Sequence, residues 1–366
     1  MKVPQNNLKR QHDIFQEEYN SKAIEVLNSG WYVLGKEVES FENEYADYIG
    51  TKHCIGVASG MDALQIAFRI IGIEEGDEVI VCSNSYIACV MGITLNEGTP
   101  VFVEPDEYDN IDADMIEEKI TDKTKAILAV HLYGQSCDMD KIMEIADKYQ
   151  LKVIEDCAQA HGTMWKDKKV GSIGDIGCWS FYPTKNLGGF GDGGAITTDN
   201  DDYATQVRVI RNYGSKRVHY ENDVIGMNSR LDELQAGLLR VKLQHLDEFN
   251  DERIRIAERY LNEVNNPLIR PLETRPGSNN VYHQFVIHCE KRDELMEYLK
   301  DNEIGTIIHY PIPPHLQKAY DYLKYKEGDF PISEKYADEV LSLPMYNGIT
   351  DEELSYVIEK LNNFKG

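Results

Sequence analysis

Short apolar runs alternate with amphipathic stretches between about residues 50 and 200. The runs predict strands at Cys54–Val57, Glu78–Cys82, Thr99–Val103, Ala126–Val130, Lys152–Glu155, Ile176–Ser180 and Ala195–Thr198. Stretches with helical periodicity, such as Met61–Ile71 and Met139–Tyr149, lie between several of them. This alternation predicts an α/β domain whose mainly parallel sheet is covered by helices on both faces. In such sheets, ligands bind beyond the carboxyl ends of the strands.

The pattern changes in the last third of the chain. Residues 228–262 follow one long helical pattern with an Asn-Ser start that can cap it. After Pro267 and Pro271, we predict an α+β region with strands at Val281–His288 and Thr306–His309 and helices at Arg292–Asp301 and Asp351–Phe364. The sequence therefore predicts a large domain over residues 1–248 and a smaller C-terminal domain over 249–366.

Length and composition narrow the class of protein. The chain has 366 residues, of which 42% are apolar, and this suits a globular protein with one large and one smaller domain. No run approaches the roughly 18 apolar residues of a membrane span, and the polar N-terminus lacks a signal-peptide core. We therefore expect a soluble, cytoplasmic protein that does not bind membranes.

The net charge of −25 is spread along the chain, without a basic stripe that could bind nucleic acid. The seven cysteines are scattered and form no CxxC pair. We expect reduced, buried thiols rather than a disulfide framework or a zinc site, and no metal.

The segment Ile-Glu-Asp-Cys-Ala-Gln-Ala-His-Gly begins at Ile154. Asp156 follows an apolar strand, where a carboxylate needs a donor or a cation as partner. A protonated pyridine nitrogen is one such partner, and pyridoxal phosphate (PLP) chemistry requires it. The alternative is that Asp156 caps the following turn. Gln159 can donate to a ring oxygen or cap the same turn.

Lys185 lies in Ser-Phe-Tyr-Pro-Thr-Lys-Asn-Leu-Gly-Gly-Phe-Gly-Asp-Gly-Gly, between a strand and a glycine-rich loop. A buried lysine has a lowered pKa and becomes a nucleophile that can form an imine. A phosphate-binding lysine is the alternative, although the order of a P-loop is missing.

These segments resemble the signature of the DegT/DnrJ/EryC1/StrS aminotransferases, which are fold-type-I PLP enzymes. The likeness extends from Ser-Gly-Trp-Tyr-Val-Leu-Gly-Lys-Glu-Val at Ser29, through Ala-Ser-Gly-Met-Asp-Ala-Leu at Ala58, to His-Tyr-Pro-Ile-Pro-Pro-His at His309. The resemblance implies a PLP-dependent aminotransferase with glutamate as the amino donor, and an obligate homodimer with shared active sites.

The resemblance also implies a role for individual residues. Lys185 would bind PLP covalently and move protons, and Asp156 would pair with the ring nitrogen. The remaining cofactor contacts would be Gly60, Met61, Tyr86, Gln159, Ser180 and, from a neighbouring subunit, Asn228. The start of the predicted helix after Ser59 suits a phosphate independently, because helix N-termini attract anions. Ordinary capping of the helix by Ser59 or Asp62 is the alternative. Met61 stands where many relatives have threonine, so its backbone amide must serve in place of a hydroxyl.

Within the family, Gly-Asp-Gly-Gly after the lysine is similar to enzymes that act at sugar C3. We therefore expect a dTDP-linked 3-keto-6-deoxyhexose as amino acceptor, with Tyr182, His309, Tyr310 and His315 as substrate contacts. A 4-keto or UDP-linked sugar and an aminocyclitol ketone remain alternatives, and His309–His315 can instead be a proline-rich turn that packs on the domain boundary. A sugar dehydratase would carry histidine in place of Lys185. A catalytically inert PLP-binding regulator is the alternative from another class.

Overall fold

The computed structural model describes residues 1–215 and 221–366. In chain order, its helices are α1 (Leu8–Ile14), α2 (Gln16–Ser29), α3 (Lys36–Ile49), α4 (Gly60–Ile70), α5 (Ile87–Thr94), α6 (Met139–Tyr149), α7 (Asp201–Ile210), α8 (Glu233–Gln244), α9 (Leu246–Glu263), α10 (Arg292–Asp301), α11 (Pro331–Glu339) and α12 (Asp351–Asn363). The strands are β1 (His53–Val57), β2 (Glu78–Cys82), β3 (Thr99–Val103), β4 (Thr124–Val130), β5 (Lys152–Asp156), β6 (Met164–Trp165), β7 (Lys168–Lys169), β8 (Ile176–Ser180), β9 (Gly194–Thr198), β10 (Arg270–Pro271), β11 (Phe285–His288) and β12 (Val340–Leu343).

The larger sheet has seven strands, in the order β1-β9-β8-β5-β4-β2-β3. Strand β9 is antiparallel to both of its neighbours, and the other six strands share one direction. Four of the five residues of β2 and of β5 are buried, because helices cover both faces of the sheet. The predicted α/β class and the mainly parallel sheet are confirmed.

The C-terminal region builds a second, antiparallel sheet in the order β10-β11-β12. Helices α9, α10 and α12 pack around it through a separate apolar cluster that includes Tyr260, Phe285, Leu295, Leu341 and Leu354. The predicted boundary at residue 248 falls inside α9 and stays a prediction.

Two predicted strands are shorter than the sequence pattern indicates. Residues 281–284 do not join β11, because the amides of Val281 and Gln284 bond to the carbonyls of Gly134 and Tyr133 in another loop. Ile307 forms one isolated bridge with Ser342, and the chain then turns away from the sheet. Both departures bring side chains to the cleft described below.

The single long helix predicted over residues 228–262 is divided. Asn228 and Asp232 form isolated β-bridges with Asn212 and Val33, so helix α8 begins only at Glu233. The helix ends at His245, whose ring stacks on Phe15 with 3.7 Å between centroids, and α9 begins at the next residue. These contacts join segments that are distant in sequence, and a local periodicity cannot reveal them.

Across the described ranges, we find no helix that combines the length and the apolar character needed to cross a lipid bilayer.

Candidate active site

A cleft of about 400 Å³ opens at the carboxyl ends of β4, β5 and β8. The parallel direction of these strands places residues that are far apart in sequence around one opening. Ten of the predicted site residues line it: Gly60, Met61, Tyr86, Asp156, Gln159, Ser180, Tyr182, Lys185, His309 and Tyr310. The structure therefore brings most of the predicted site together.

The loop after β8 holds Lys185 at the cleft. The amide of Lys185 donates to the carbonyl of Tyr182 at 2.8 Å. A side chain at Gly188 would lie 2.4 Å from the carbonyl oxygen of Pro183, so the tight return of the loop requires glycine there. Burial lowers the pKa of Lys185 to about 8, although Asp156 and Cys89 act in the opposite direction. Near this pH, a substantial share of the amine is uncharged and nucleophilic.

Asp156 ends β5 and is 7% exposed. Its Oδ1 accepts from the amide of Ala158 at 3.0 Å, and its Oδ2 accepts from the thiol of Cys89 at 3.1 Å. Burial raises the pKa of Cys89 well above its ordinary value, so this thiol keeps its proton and remains a donor. The carboxylate thus caps its own turn and retains lone pairs for a cationic N–H in the cleft.

The start of helix α4 forms an anion cup. Ser59 is the N-cap and its Oγ accepts from the amide of Asp62 at 3.1 Å, while the first-turn amides of Gly60 and Met61 have no partner within the helix. A Cβ at Gly60 would lie 2.6 Å from Cβ of Ser180, so the helix start touches the end of β8. The backbone amides of Gly60 and Met61, together with the hydroxyl of Ser180, fit a phosphate group.

Aromatic and amide side chains form the opposite wall. The rings of Tyr86 and Tyr310 lie 5.1 Å apart between centroids. Gln159 Nε2 donates to Tyr310 Oη at 3.0 Å, and Gln159 Oε1 accepts from the amide of Tyr133 at 2.7 Å. The hydroxyl of Tyr133 donates to the carbonyl of His309. These hydrogen bonds fix the side chain of Gln159, which keeps one amide hydrogen for a ligand.

His309 is uncharged in this wall. Its Nδ1 lies 2.8 Å from Ser342 Oγ. Burial lowers the pKa of His309 to about 4, and the nearby Lys185 acts in the same direction. The ring can therefore exchange neutral hydrogen bonds with a substrate.

Two predicted site residues lie outside the cleft of their own chain. His315 is completely buried, with Nε2 3.0 Å from Glu334 Oε1 and its ring against Phe102 and Phe330. This packing matches the proline-rich turn that we considered as the alternative. Asn228 is exposed and bridges Asn212.

Sequence reasoning missed a buried pair behind Asp156. Glu155 accepts from His131 Nε2 at 3.0 Å and from the amides of Gly171, Ile173 and Gly174. Burial would raise the pKa of Glu155, but these donors hold it below its ordinary value. The sequence did carry a signal for Glu155. Adjacent residues of a strand point to opposite faces of the sheet, so a carboxylate next to Asp156 is also buried and needs donors of its own.

The missed residues Cys89 and His283 offered no such signal. Cys89 belongs to an apolar helix, and His283 lies in a run that predicts a strand. Only the folded chain shows that both line the cleft.

The model of the DegT/DnrJ/EryC1/StrS aminotransferase family matches residues 13–362. The chain belongs to this family. It is a PLP-dependent aminotransferase, and the cleft of Lys185, Asp156 and the anion cup is its candidate active site.

Several relatives of this aminotransferase match over nearly its whole length. The dTDP-3-amino-3,6-dideoxy-alpha-D-galactopyranose transaminase of Aneurinibacillus thermoaerophilus is 50% identical, and the match covers 99% of each chain. The dTDP-3-amino-3,4,6-trideoxy-alpha-D-glucose transaminase of Streptomyces venezuelae is 44% identical, over 94% of this chain and 91% of that one. The crystal structure of S. venezuelae DesV in complex with a ketimine intermediate superimposes with a TM-score of 0.97 at 43% identity, over 99% and 98% of the two chains.

Proposed function

We propose that this aminotransferase moves an amino group from L-glutamate to the C3 keto group of a dTDP-linked 3-keto-6-deoxyhexose. The observation that carries the choice of sugar is the nearly full-length match to two dTDP-3-amino-sugar transaminases, at 50% and 44% identity. The Gly-Asp-Gly-Gly segment after Lys185 supports the same position on the sugar ring.

The residues of the cleft fit PLP. The anion cup would hold its phosphate, Tyr86 would stack on its ring, and Asp156 would face the ring nitrogen. When bound, PLP supplies an electron-withdrawing ring that stabilises negative charge on a substrate carbon.

The protein's own groups would move and hold the protons. Asp156 would keep a proton on the nitrogen that it faces, because its carboxylate is held by Cys89 and the amide of Ala158. The amine of Lys185, with a pKa of about 8, would accept a proton from the substrate carbon and return it. Tyr86 and Tyr310 would shield the reacting atoms from water.

The substrate is tested with a panel of dTDP- and UDP-linked 3-keto and 4-keto sugars, each incubated with the PLP-loaded protein and glutamate. We expect an amino product by mass spectrometry with the dTDP-linked 3-keto sugar, and none with Lys185→Ala. Faster turnover of a 4-keto or UDP-linked sugar would contradict the proposed substrate. A PLP-loaded protein that aminates no ketone of the panel would support the inert regulator.

We also propose a homodimer in which Asn228 of the partner subunit completes the anion cup. Support comes from the exposure of Asn228 and its position outside the cleft of its own chain. Mixing Asn228→Ala with Lys185→Ala subunits tests this proposal. In a shared site, half of the sites in mixed dimers are intact, so random mixing should restore about one quarter of the wild-type activity. A mixture that stays inactive would place Asn228 in another role.

We propose that the enzyme works in the cytoplasm. All seven cysteines are buried and free, as expected in a reducing compartment. Fractionation of the producing cells should recover the activity with cytoplasmic markers, and recovery with the membrane or secreted fraction would contradict this.

A further inference from the structure

His283 lines the cleft, but the mechanism above gives it no role. It is 4% exposed, and the backbone around it is held on both sides. The guanidinium of Arg253 donates to its carbonyl at 3.3 Å. Gly134 packs closely against the amide of His283, because a Cβ at Gly134 would lie 2.9 Å from the amide nitrogen of His283. The backbone of His283 therefore has a fixed place in the cleft wall.

Two backbone carbonyls fix the amide groups behind this ring. Asn250 Nδ2 donates to the carbonyl of His161 at 2.8 Å, so Asn250 Oδ1 is the atom that faces Asn186. Asn186 Nδ2 donates to Asn250 Oδ1 at 2.9 Å and to the carbonyl of Val281 at 3.0 Å. Because a carbonyl oxygen can only accept, neither amide can be turned around without losing bonds. Asn186 Oδ1 is therefore the atom that lies 3.2 Å from His283 Nδ1.

This contact determines the tautomer of His283. An amide oxygen accepts only, so Nδ1 must carry the proton. Burial lowers the pKa of His283 well below its ordinary value, and the cations Lys185 and Arg253, with His309 and His161, act in the same direction. The ring is thus neutral and has a lone pair on Nε2, the ring nitrogen turned away from the buried Asn186.

We propose that Nε2 of His283 accepts a hydrogen bond from a hydroxyl group of the sugar substrate. A lone pair repels the oxygens of a phosphate or a carboxylate, and the positive Arg253 near this wall disfavours an ammonium group. A hydroxyl is the neutral donor that remains, and a sugar carries several. The proposal rests on the proposed function.

The tautomer can be measured in the cofactor-free protein. Nitrogen-15 NMR of protein with labelled histidine separates the two nitrogens of each ring, and the signal missing from His283→Gln identifies His283. We expect a protonated Nδ1 and an unprotonated Nε2 between pH 6.5 and 8. Asn186→Leu removes the acceptor and should mix the tautomers. A proton on Nε2 in the wild-type protein would overturn the proposal.

Kinetics then test the contact with the sugar. His283→Leu should raise KM for the keto sugar about three- to tenfold, the effect of one neutral hydrogen bond, and leave the single-turnover half-reaction with glutamate unchanged. His283→Gln should recover most of the loss, because its amide oxygen can take the place of Nε2. Both variants are compared at equal PLP content.

The outcomes separate this proposal from the proposed function. If the wild-type enzyme aminates the sugar and His283→Leu has an unchanged KM for it, only the role of His283 is refuted. If His283→Leu slows the half-reaction with glutamate as much as the reaction with the sugar, the role of His283 is also refuted, because the substitution then disturbs the whole cleft. A wild-type protein that aminates no nucleotide sugar removes both proposals.

Discussion

Replacing Lys185 with methionine should remove one pH-dependent part of the stability of the cofactor-free protein. Burial lowers the pKa of Lys185 from 10.5 to about 8, so between these values the unfolded chain holds one proton more than the folded chain. The free energy of unfolding therefore rises with pH in this window, by at most about 1.4 kcal/mol per pH unit. Over the whole window between the two pKa values, the free energy of unfolding rises by about 3 kcal/mol. Below pH 8, the ammonium is charged in both states and the cost of burying it is fully present.

Urea denaturation at one protein concentration, from pH 7 to pH 10.5, measures this effect. We expect Lys185→Met to be more stable than the wild type at pH 7, with a difference that shrinks to near zero above pH 10. Burial also lowers the pKa of Lys242, to about 7, but this lysine is present in both proteins and its contribution cancels. The exposed Lys125 provides the matched control, Lys125→Met, which should show no such trend. A difference that stays constant with pH would refute a perturbed amine at position 185.

Four further variants test the site. Lys185→Ala should abolish turnover, and borohydride treatment of the PLP-incubated variant should leave no tag on this position by peptide mass; a wild-type rate would contradict its role. Asp156→Asn should keep the fold, by circular dichroism, but lower kcat by several orders of magnitude, because the ring loses the charge that keeps it protonated; normal kinetics would mean that another residue faces the ring nitrogen. Gly194→Ala should weaken PLP binding at least tenfold in a spectroscopic titration, because its Cβ would lie 2.4 Å from the carbonyl carbon of Ser59 at the anion cup. His315→Ala should lower the melting temperature and leave KM for the sugar unchanged, since the ring packs on Phe102 away from the cleft; a raised KM with unchanged stability would return His315 to the site.

The sequence by itself determined the chemistry and the class of fold. Continuous apolar runs predicted the strands of the parallel sheet, because strands buried on both faces need apolar residues at every position. Asp156 became a candidate because a carboxylate after an apolar strand needs a donor or a cation, and Lys185 because a buried lysine becomes a nucleophile. The family resemblance then decided between these roles and their alternatives. These are local properties of short segments, and a short segment carries them wherever it lies in the fold.

Only the tertiary structure decided which distant segments meet. It placed His315 in a packed turn, divided the predicted long helix at His245, and turned residues 281–284 away from β11 so that His283 reached the cleft. The tautomer of His283 depends on hydrogen bonds that run from α9 through Asn186. Each of these outcomes depends on a partner many residues away, and the hydrophobic pattern of one segment contains no information about the polar atoms of another.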